Sequence, residues 1–209
     1  NETQRSKRNG VGLYGEKFPN DYFTQPGDAS IKRGYSYTTG WSFASVFSRV
    51  NYKLKDKYLL SASMRYDGSS RFGDNNKWGA FPGLSAGWIL SEEEFIKNIK
   101  AISFLKLRAS YGQTGNANIG DFASLGYYSS SVGYNGNSAI VPSTLSNKDL
   151  RWEKSNQVDV NLDIAFFKNR FAAGFNYYYK TSNDLLLNIS IPTSSGYSQI
   201  LQNKGKLEN

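Results

Sequence analysis

Apolar and polar residues alternate strictly in two runs within residues 58–90. The first run has one apolar side, Tyr58, Leu60, Ala62, Met64 and Tyr66, and one polar side that includes Ser61, Ser63, Arg65 and Asp67. Such alternation indicates a β-strand with one apolar and one polar face. The second run repeats it, with Pro82, Leu84, Ala86, Trp88 and Leu90 opposed to Phe81, Gly83, Ser85, Gly87 and Ile89. The segment between them, DGSSRFGDNNKWG, favours turns, so the sequence predicts a long β-hairpin with a polar tip.

Tyr58 and Tyr66 stand at the two ends of one apolar stripe. Eight steps of about 3.3 Å span about 26 Å, or about 20 Å of height for a strand tilted by ~40°. That approaches the ~25 Å apolar band of an outer-membrane β-barrel, which aromatic residues border. A soluble sandwich, in which the stripe packs against a second sheet, fits this hairpin equally well.

Similar alternation predicts four further strands, so that the chain has six long ones. The four are residues 41–54, 105–111, 157–166 and 171–180. A short helix is predicted at 92–100, with Ser91 and Glu94 as a capping box. Residues 1–40, 112–149 and 181–209 are interpreted mainly as loops, with a strand extension in LLLNISI.

The connections between these strands alternate between short and long, and this favours the membrane barrel over the sandwich. In an up-and-down meander all the short ones then share one rim, as in outer-membrane barrels, whereas a soluble sandwich has no reason for it. We therefore predict an all-β, antiparallel, up-and-down fold. The residues predicted to face lipid are Tyr58, Leu60, Met64, Tyr66, Leu84, Trp88, Leu107, Tyr111, Val158, Val160, Leu162, Ile164, Phe175 and Tyr177.

Six strands are too few to close such a barrel, whose minimum is about eight. An open edge in lipid leaves unpaired amides that cost several kcal/mol each. We therefore expect residues 1–209 to be part of a larger barrel. The first ten residues show no apolar signal-peptide core, which agrees with this expectation.

Composition excludes several chemistries. The 209 residues include no Cys and no His, which rules out disulfides, Cys or His metal sites and histidine-assisted nucleophiles within them. No apolar run is long enough for a transmembrane helix. The net charge of +8 comes from Lys and Arg spread along the chain, which is typical of solvated loops and a wet interior. The alternative is a soluble basic β-protein that binds glycan or nucleic acid through exposed aromatics.

Several motifs in one order resemble the SusC/RagA family of TonB-dependent outer-membrane transporters. They are RYDGSSRFG, LKLRASYGQTGN, DLRWEKSNQ, FFKNR and NKGKLEN, and the likeness extends from about residue 41 to the end. The family signature falls on Arg65, Asp67, Gly68, Ser69, Ser70, Arg71, Phe72, Gly73 and Trp88.

The resemblance implies part of a large plugged transmembrane barrel of about 22 strands in the bacterial outer membrane. It implies a plug and a TonB box, neither within these residues, and energy from the TonB–ExbB–ExbD complex. It also implies a SusD-like surface lipoprotein as a lid, and import of an oligosaccharide or a peptide. No catalysis, cofactor, metal or nucleic acid is expected.

Two groups of residues on the predicted strands and loops are candidate sites. Asp159 and Asp163 lie about 13 Å apart along one strand, beyond the ~5 to 9.5 Å of a glycosidase pair, so hydrogen bonding inside the barrel is favoured. Tyr127, Tyr128 and Tyr134 are candidates for contact with substrate or lid, although anchoring of their own loop is favoured.

Overall fold

The computed structural model describes residues 2–22, 24–134 and 137–209, which form an all-β fold. Eight strands make one antiparallel sheet in the order β1-β2-β3-β4-β5-β8-β9-β12, while β6–β7 and β10–β11 are separate hairpins. The strands are β1 Glu2–Glu16, β2 Ile31–Leu54, β3 Tyr58–Ser69, β4 Trp78–Ile89, β5 Ile102–Asn116, β6 Tyr127–Tyr134, β7 Asn137–Thr144, β8 Glu153–Phe166, β9 Phe171–Asn183, β10 Leu186–Ser190, β11 Gln199–Asn203 and β12 Lys206–Glu208. The predicted antiparallel up-and-down fold is confirmed.

The strand register places all fourteen residues that were predicted to face lipid on one side of the sheet. Tyr58 lies opposite Trp88, and Leu84 lies between Ala62 and Tyr111. The same rows continue into the last strands, where Leu107 pairs with Leu162, and Leu162 with Phe175. Directly opposed residues of antiparallel strands project to the same face, so the stripes of β3, β4, β5, β8 and β9 form one apolar surface, called here the apolar face.

The apolar face is the open side of the sheet. Met64, Leu84 and Val160 are 50%, 57% and 41% exposed. On the opposite side of β3, Leu59, Ser61 and Ser63 are half-buried. No second layer of the described chain covers the stripes, so the soluble sandwich is contradicted within the described residues.

The prediction of a long loop over residues 1–40 is wrong. β1 pairs along its whole length with residues 31–45 of β2, which together form a long hairpin, called here the arm. The arm was missed because most of its side chains are exposed on both faces, so burial imposes no apolar period on its sequence. The other predicted loops contain the hairpin β6–β7 and the strands β10 to β12, and β10 matches the extension expected in LLLNISI.

The predicted helix at 92–100 is shorter than expected. A 3-10 turn covers Leu90–Glu92 and the helix α1 covers only Glu94–Lys97. Glu93 occupies the N-cap position, and no side chain caps the helix, so the predicted capping box of Ser91 and Glu94 is wrong. Other 3-10 turns cover Pro26–Asp28 and Thr193–Ser195. Within the described residues no helix reaches the length and apolarity needed to cross a membrane.

A small apolar cluster lies at one end of the sheet, where β4 and β5 stop pairing. The two strands pair from Gly83–Gly112 to Ile89–Lys106, although both continue beyond the first of these pairs. Beyond it lies a buried cluster of Phe72, Phe81, Leu150 and Trp152, called here the rim cluster. The Phe81 ring lies against the backbone of Gly115, where a Cβ atom would be 2.2 Å from the ring. The cluster therefore takes the place of strand pairing at this rim.

Candidate functional site: the polar sheet face and its rim

The second side of the sheet, called here the polar face, carries hydrogen-bonding groups along its strands. The carboxylate of Asp163 accepts a bond of 2.9 Å from Arg108. Asp159 accepts from Gln157 at 2.8 Å and from Ser110 at 3.5 Å. The interpretation of the two aspartates as hydrogen-bonding groups is confirmed. Such a surface can bind and release polar solutes.

A recess of about 530 Å³ opens on the polar face beside the rim cluster. Its polar lining includes Ser63, Arg65 and Gln113, and its apolar lining includes the rings of Phe81 and Trp152. A few polar groups among apolar side chains is the usual make-up of a small-molecule pocket.

The signature segment begins with a buried charge at the end of β3. Asp67 is 5% exposed. Its carboxylate accepts from the Ser45 hydroxyl at 2.5 Å and from Arg65 Nε at 2.8 Å. Beside it, the Trp78 ring stacks on Tyr66 at 5.1 Å between centroids. A buried carboxylate is costly unless its oxygens are bonded, so this network fixes the end of the strand.

Arg71 and Asp121 connect the signature segment to two other parts of the chain. Arg71 contacts Asp121 at 2.9 Å and donates to the carbonyl of Ala117 at 3.4 Å. Its guanidinium lies 5.2 Å from the ring centroid of Trp41. The Thr39 hydroxyl donates to the same carboxylate at 2.5 Å, and this bond, together with Arg71, holds the pKa of Asp121 below its ordinary value. Sequence reasoning missed Asp121, whose partners lie far away along the chain.

Phe72 and Gly73 pack directly against the DLRWEKSNQ motif. The amide of Gly73 donates to the carbonyl of Leu150 at 3.0 Å, and Ser124 donates to the carbonyl of Phe72 at 3.1 Å. A Cβ atom at Gly73 would lie 1.9 Å from the carbonyl oxygen of Lys148. Only glycine permits this close backbone approach, so two of the family-like motifs form one structural unit.

Trp88, the last signature residue, lies at the opposite end of the sheet. Its ring stacks on Tyr58 at 6.1 Å. Its indole nitrogen donates to Glu93 at 3.0 Å, and the same carboxylate accepts from the Tyr58 hydroxyl and from Lys57 at 2.9 Å. These bonds, that of Lys57 first, lower the pKa of Glu93 to about 2. Glu93 was not singled out from the sequence either.

The three loop tyrosines differ in their surroundings. The Tyr127 hydroxyl donates to the carbonyl of Asp121 at 3.0 Å, which supports the interpretation that it anchors its own loop. Tyr128 is 74% exposed. Tyr134 ends β6, and its side chain lies outside the described residues.

The family of the chain follows from its match to a known barrel domain. Residues 3–209 match the family model described as TonB dependent receptor-like, beta-barrel. The chain belongs to the TonB-dependent receptor family. Like its relatives, this TonB-dependent receptor is an integral protein of the bacterial outer membrane. The predicted family and location are thus confirmed.

Two curated relatives show how close the likeness is. The chain is 42% identical to TonB-dependent receptor P39 of Formosa agariphila over 92% of its own length and 19% of that protein. It is 39% identical to TonB-dependent receptor SusC of Bacteroides thetaiotaomicron over 90% of its length and 20% of SusC. The chain therefore spans about a fifth of the length of these relatives.

Solved structures show the same fold. The RagAB peptide transporter matches with a TM-score of 0.84 and 27% identity, over 99% of this chain and 24% of that one. The siderophore receptor PirA from Pseudomonas aeruginosa matches with a TM-score of 0.52 at 13% identity, which shows likeness of fold alone.

Proposed function

We propose that this receptor forms part of the wall of a SusC-like transporter that imports a nutrient across the outer membrane. The observation that carries the proposal is the open apolar face, backed by a polar face of the same strands. In a soluble protein an apolar surface of this extent would be costly to leave in water. In a bilayer the same surface is solvated by hydrocarbon, while the polar face lines an interior.

The fourteen residues predicted to face lipid are proposed to contact the hydrocarbon core. Eleven of them are more than a third exposed, and Trp88, Leu162 and Ile164 are half-buried. The stacked pairs Tyr58–Trp88 and Tyr66–Trp78 lie at opposite ends of the same stripe. Aromatic side chains of this kind prefer the two borders of a membrane.

The two rims are proposed to face different compartments. The connections 55–57, 90–101 and 167–170 lie at one rim and would face the periplasm. The connections 17–30, 70–77, 117–152 and 184–205 lie at the other rim and would face the cell exterior. Short turns inside and longer loops outside are typical of outer-membrane barrels.

The remaining strands and the plug are proposed to come from other parts of the protein, since its relatives are about five times longer than this chain. The TonB box would couple import to the inner-membrane proton gradient through the TonB–ExbB–ExbD complex. The polar face would let the substrate pass without changing its covalent bonds, so the protein would act as a transporter and not as an enzyme.

A SusD-like lipoprotein is the proposed lid, and the substrate is proposed to be an oligosaccharide or a peptide. The likeness to SusC and to the RagAB peptide transporter supports this assignment. The exposed ring of Tyr128 lies at the rim where a lid would sit.

Deletion of the gene for the whole protein tests the proposal. Growth on the imported nutrient, and uptake of that nutrient by intact cells, are expected to disappear and to return with a plasmid copy. A protonophore is expected to stop uptake but not binding at the cell surface. Uptake that persists in the deletion strain, or a protein found in the soluble fraction without detergent, would contradict the proposal.

A further inference from the structure

One column of aromatic residues runs along the polar side of β2 and ends in two open rings. Phe43, Trp41, Tyr37 and Tyr35 project to the same side, because they are separated by even numbers of residues along a strand with continuous register. At the lower end, Phe43 contacts Trp152 edge-on at 6.2 Å, and Arg71 covers Trp41. At the upper end, Tyr37 and Tyr35 are 54% and 58% exposed. The column is thus sealed at one end and open at the other.

The two open rings lie over glycines of the partner strand. Tyr37 is paired with Gly10, and Tyr35 with Gly12. A Cβ atom at Gly10 would lie 2.2 Å from Cε1 of Tyr37, and one at Gly12 would lie 2.3 Å from Cε1 of Tyr35. Each ring therefore covers a glycine backbone and keeps an opposite side exposed. Glycine weakens a strand, and a ring laid over it offsets part of that cost, but this role leaves the outer sides of the rings unused.

We propose that Tyr35 and Tyr37 form a stacking platform for a neutral oligosaccharide on the arm. This inference rests on the proposed transport function and adds a binding site to it. The rings are two residues apart, so their centres lie roughly 6.6 Å apart along the strand. That spacing suits neighbouring sugar rings, whose C–H faces are attracted to the negative face of an aromatic ring, while both phenol hydroxyls remain available to sugar hydroxyls.

The local charges favour a neutral ligand. Arg33, next to the platform on β2, lies 3.8 Å from Glu16. The Asp121 carboxylate below the platform already has Arg71 as its partner, and the charge of Arg8 also acts on it. The carboxylates of Glu16 and Asp121 thus offset the charges of Arg33 and Arg71, and the rings themselves carry no charge.

The size and shape of the platform favour a sugar chain over a protein partner. Two aromatic side chains that are about half-exposed offer roughly 200 Å², well below the ~800 Å² that each partner of a stable protein complex buries. A peptide captured by strand addition uses a sheet edge and side-chain pockets, whereas these rings lie flat on a sheet face.

The test measures binding to the full-length receptor, purified in detergent with its lipoprotein, by titration calorimetry with maltohexaose, cellohexaose and laminarihexaose. Replacing both tyrosines by alanine (Y35A with Y37A) is expected to weaken the bound sugar's Kd about tenfold or more, as expected for the loss of stacking. The phenylalanine pair (Y35F with Y37F) retains the rings and is expected to stay within about threefold of wild type. G10A with G12A is expected to weaken binding although both tyrosines remain, because the new Cβ atoms displace the rings.

Val11→Ala is the matched control. Val11 lies between the two glycines, points to the opposite side of β1 and is 80% exposed. Its substitution is expected to leave the Kd unchanged, and correct insertion of every variant is checked by heat-modifiable mobility on gels.

The outcomes separate this inference from the proposed function. If the wild type binds and imports a hexaose and the double alanine variant binds it equally well, the platform is overturned and the transport function stands. The sugar platform is likewise overturned if the double alanine variant no longer binds its lipoprotein but still binds the hexaose. It is also overturned if the wild type binds a tryptic peptide pool and no hexaose. A deletion strain with normal uptake of all nutrients overturns both.

Discussion

Arg71 and Asp121 form an ion pair of 2.9 Å that joins parts of the chain 50 residues apart. The same carboxylate accepts from Thr39 in the arm, and the carbonyl of Asp121 accepts from Tyr127 at the start of β6. The signature segment, the arm and the β6–β7 hairpin are thus held by one residue.

Replacing Asp121 by Asn is expected to loosen the base of the β6–β7 hairpin. The amide keeps the size of the carboxylate but loses the charge that holds Arg71, and charge-assisted bonds are the stronger ones. Limited proteolysis of the folded receptor is expected to cleave residues 117–145 several-fold faster. Asp74→Asn, which removes the charge that pairs with exposed Lys77, serves as the control and is expected to change little. Equal cleavage of wild type and D121N would show that the contacts of the Asp121 carboxylate do not restrain the hairpin.

Gly73→Ala is expected to destabilise the rim cluster. A Cβ atom there would lie 1.9 Å from the backbone oxygen of Lys148, so one of the two family-like motifs must move away from the other. Overpacking of this kind costs about 1–3 kcal/mol. The thermal unfolding midpoint in detergent is expected to fall by several degrees. Gly120→Ala, where no atom lies within 4 Å, is the matched control, and a G73A midpoint equal to that of G120A would refute the close approach.

The strands of the apolar face could be predicted because each carries an apolar residue at every second position. Val158 to Phe166 show that period without interruption. The arm gives no such signal, since water contacts both of its faces. Its two strands are defined mainly by backbone pairing, which the apolar pattern of residues 1–40 does not reveal.

The contacts of Glu93 and Asp121 at the two rims could not be predicted, because the partners of these carboxylates are distant along the chain. Glu93 binds Lys57, 36 residues away, and Asp121 binds Thr39, 82 residues away. The local pattern around Glu93 favours a capping box, yet its carboxylate accepts from two aromatic side chains, Tyr58 and Trp88, instead of a helix amide. Tertiary contacts therefore outweigh the local helix-capping propensity at this position.

The hydrogen bonds to the Glu93 carboxylate lead us to expect a loss of stability in acid. The pKa of Glu93 is about 2 in the folded protein against an ordinary value of 4.5. A lowered pKa means that the carboxylate stabilises the fold above about pH 4.5 and that this contribution disappears as the pH falls toward 2. Glu93→Gln is expected to lower the unfolding midpoint at pH 6, and the difference from wild type is expected to shrink by pH 3.

Glu92→Gln is the control for the acid experiment. Glu92 contacts Lys97 at 3.0 Å and both side chains are about half-exposed, so its loss is expected to have little effect at either pH. A difference between wild type and E93Q that stays constant from pH 6 to pH 3 would mean that the carboxylate charge does not stabilise this rim.

Contact of the apolar face with hydrocarbon is the claim on which the transport assignment depends. These 209 residues contain no cysteine. In a full-length receptor from which any cysteine elsewhere has been removed, single cysteines can be placed on either face of the sheet and labelled with bimane. Met64→Cys, Leu84→Cys and Val160→Cys report on the apolar face, while Ser63→Cys, Ser85→Cys and Asn161→Cys report on the polar face at matching heights. In bilayers of brominated lipid the first three labels are predicted to be strongly quenched and the other three to remain bright. Equal quenching on both faces, or quenching of the polar face alone, would contradict the account.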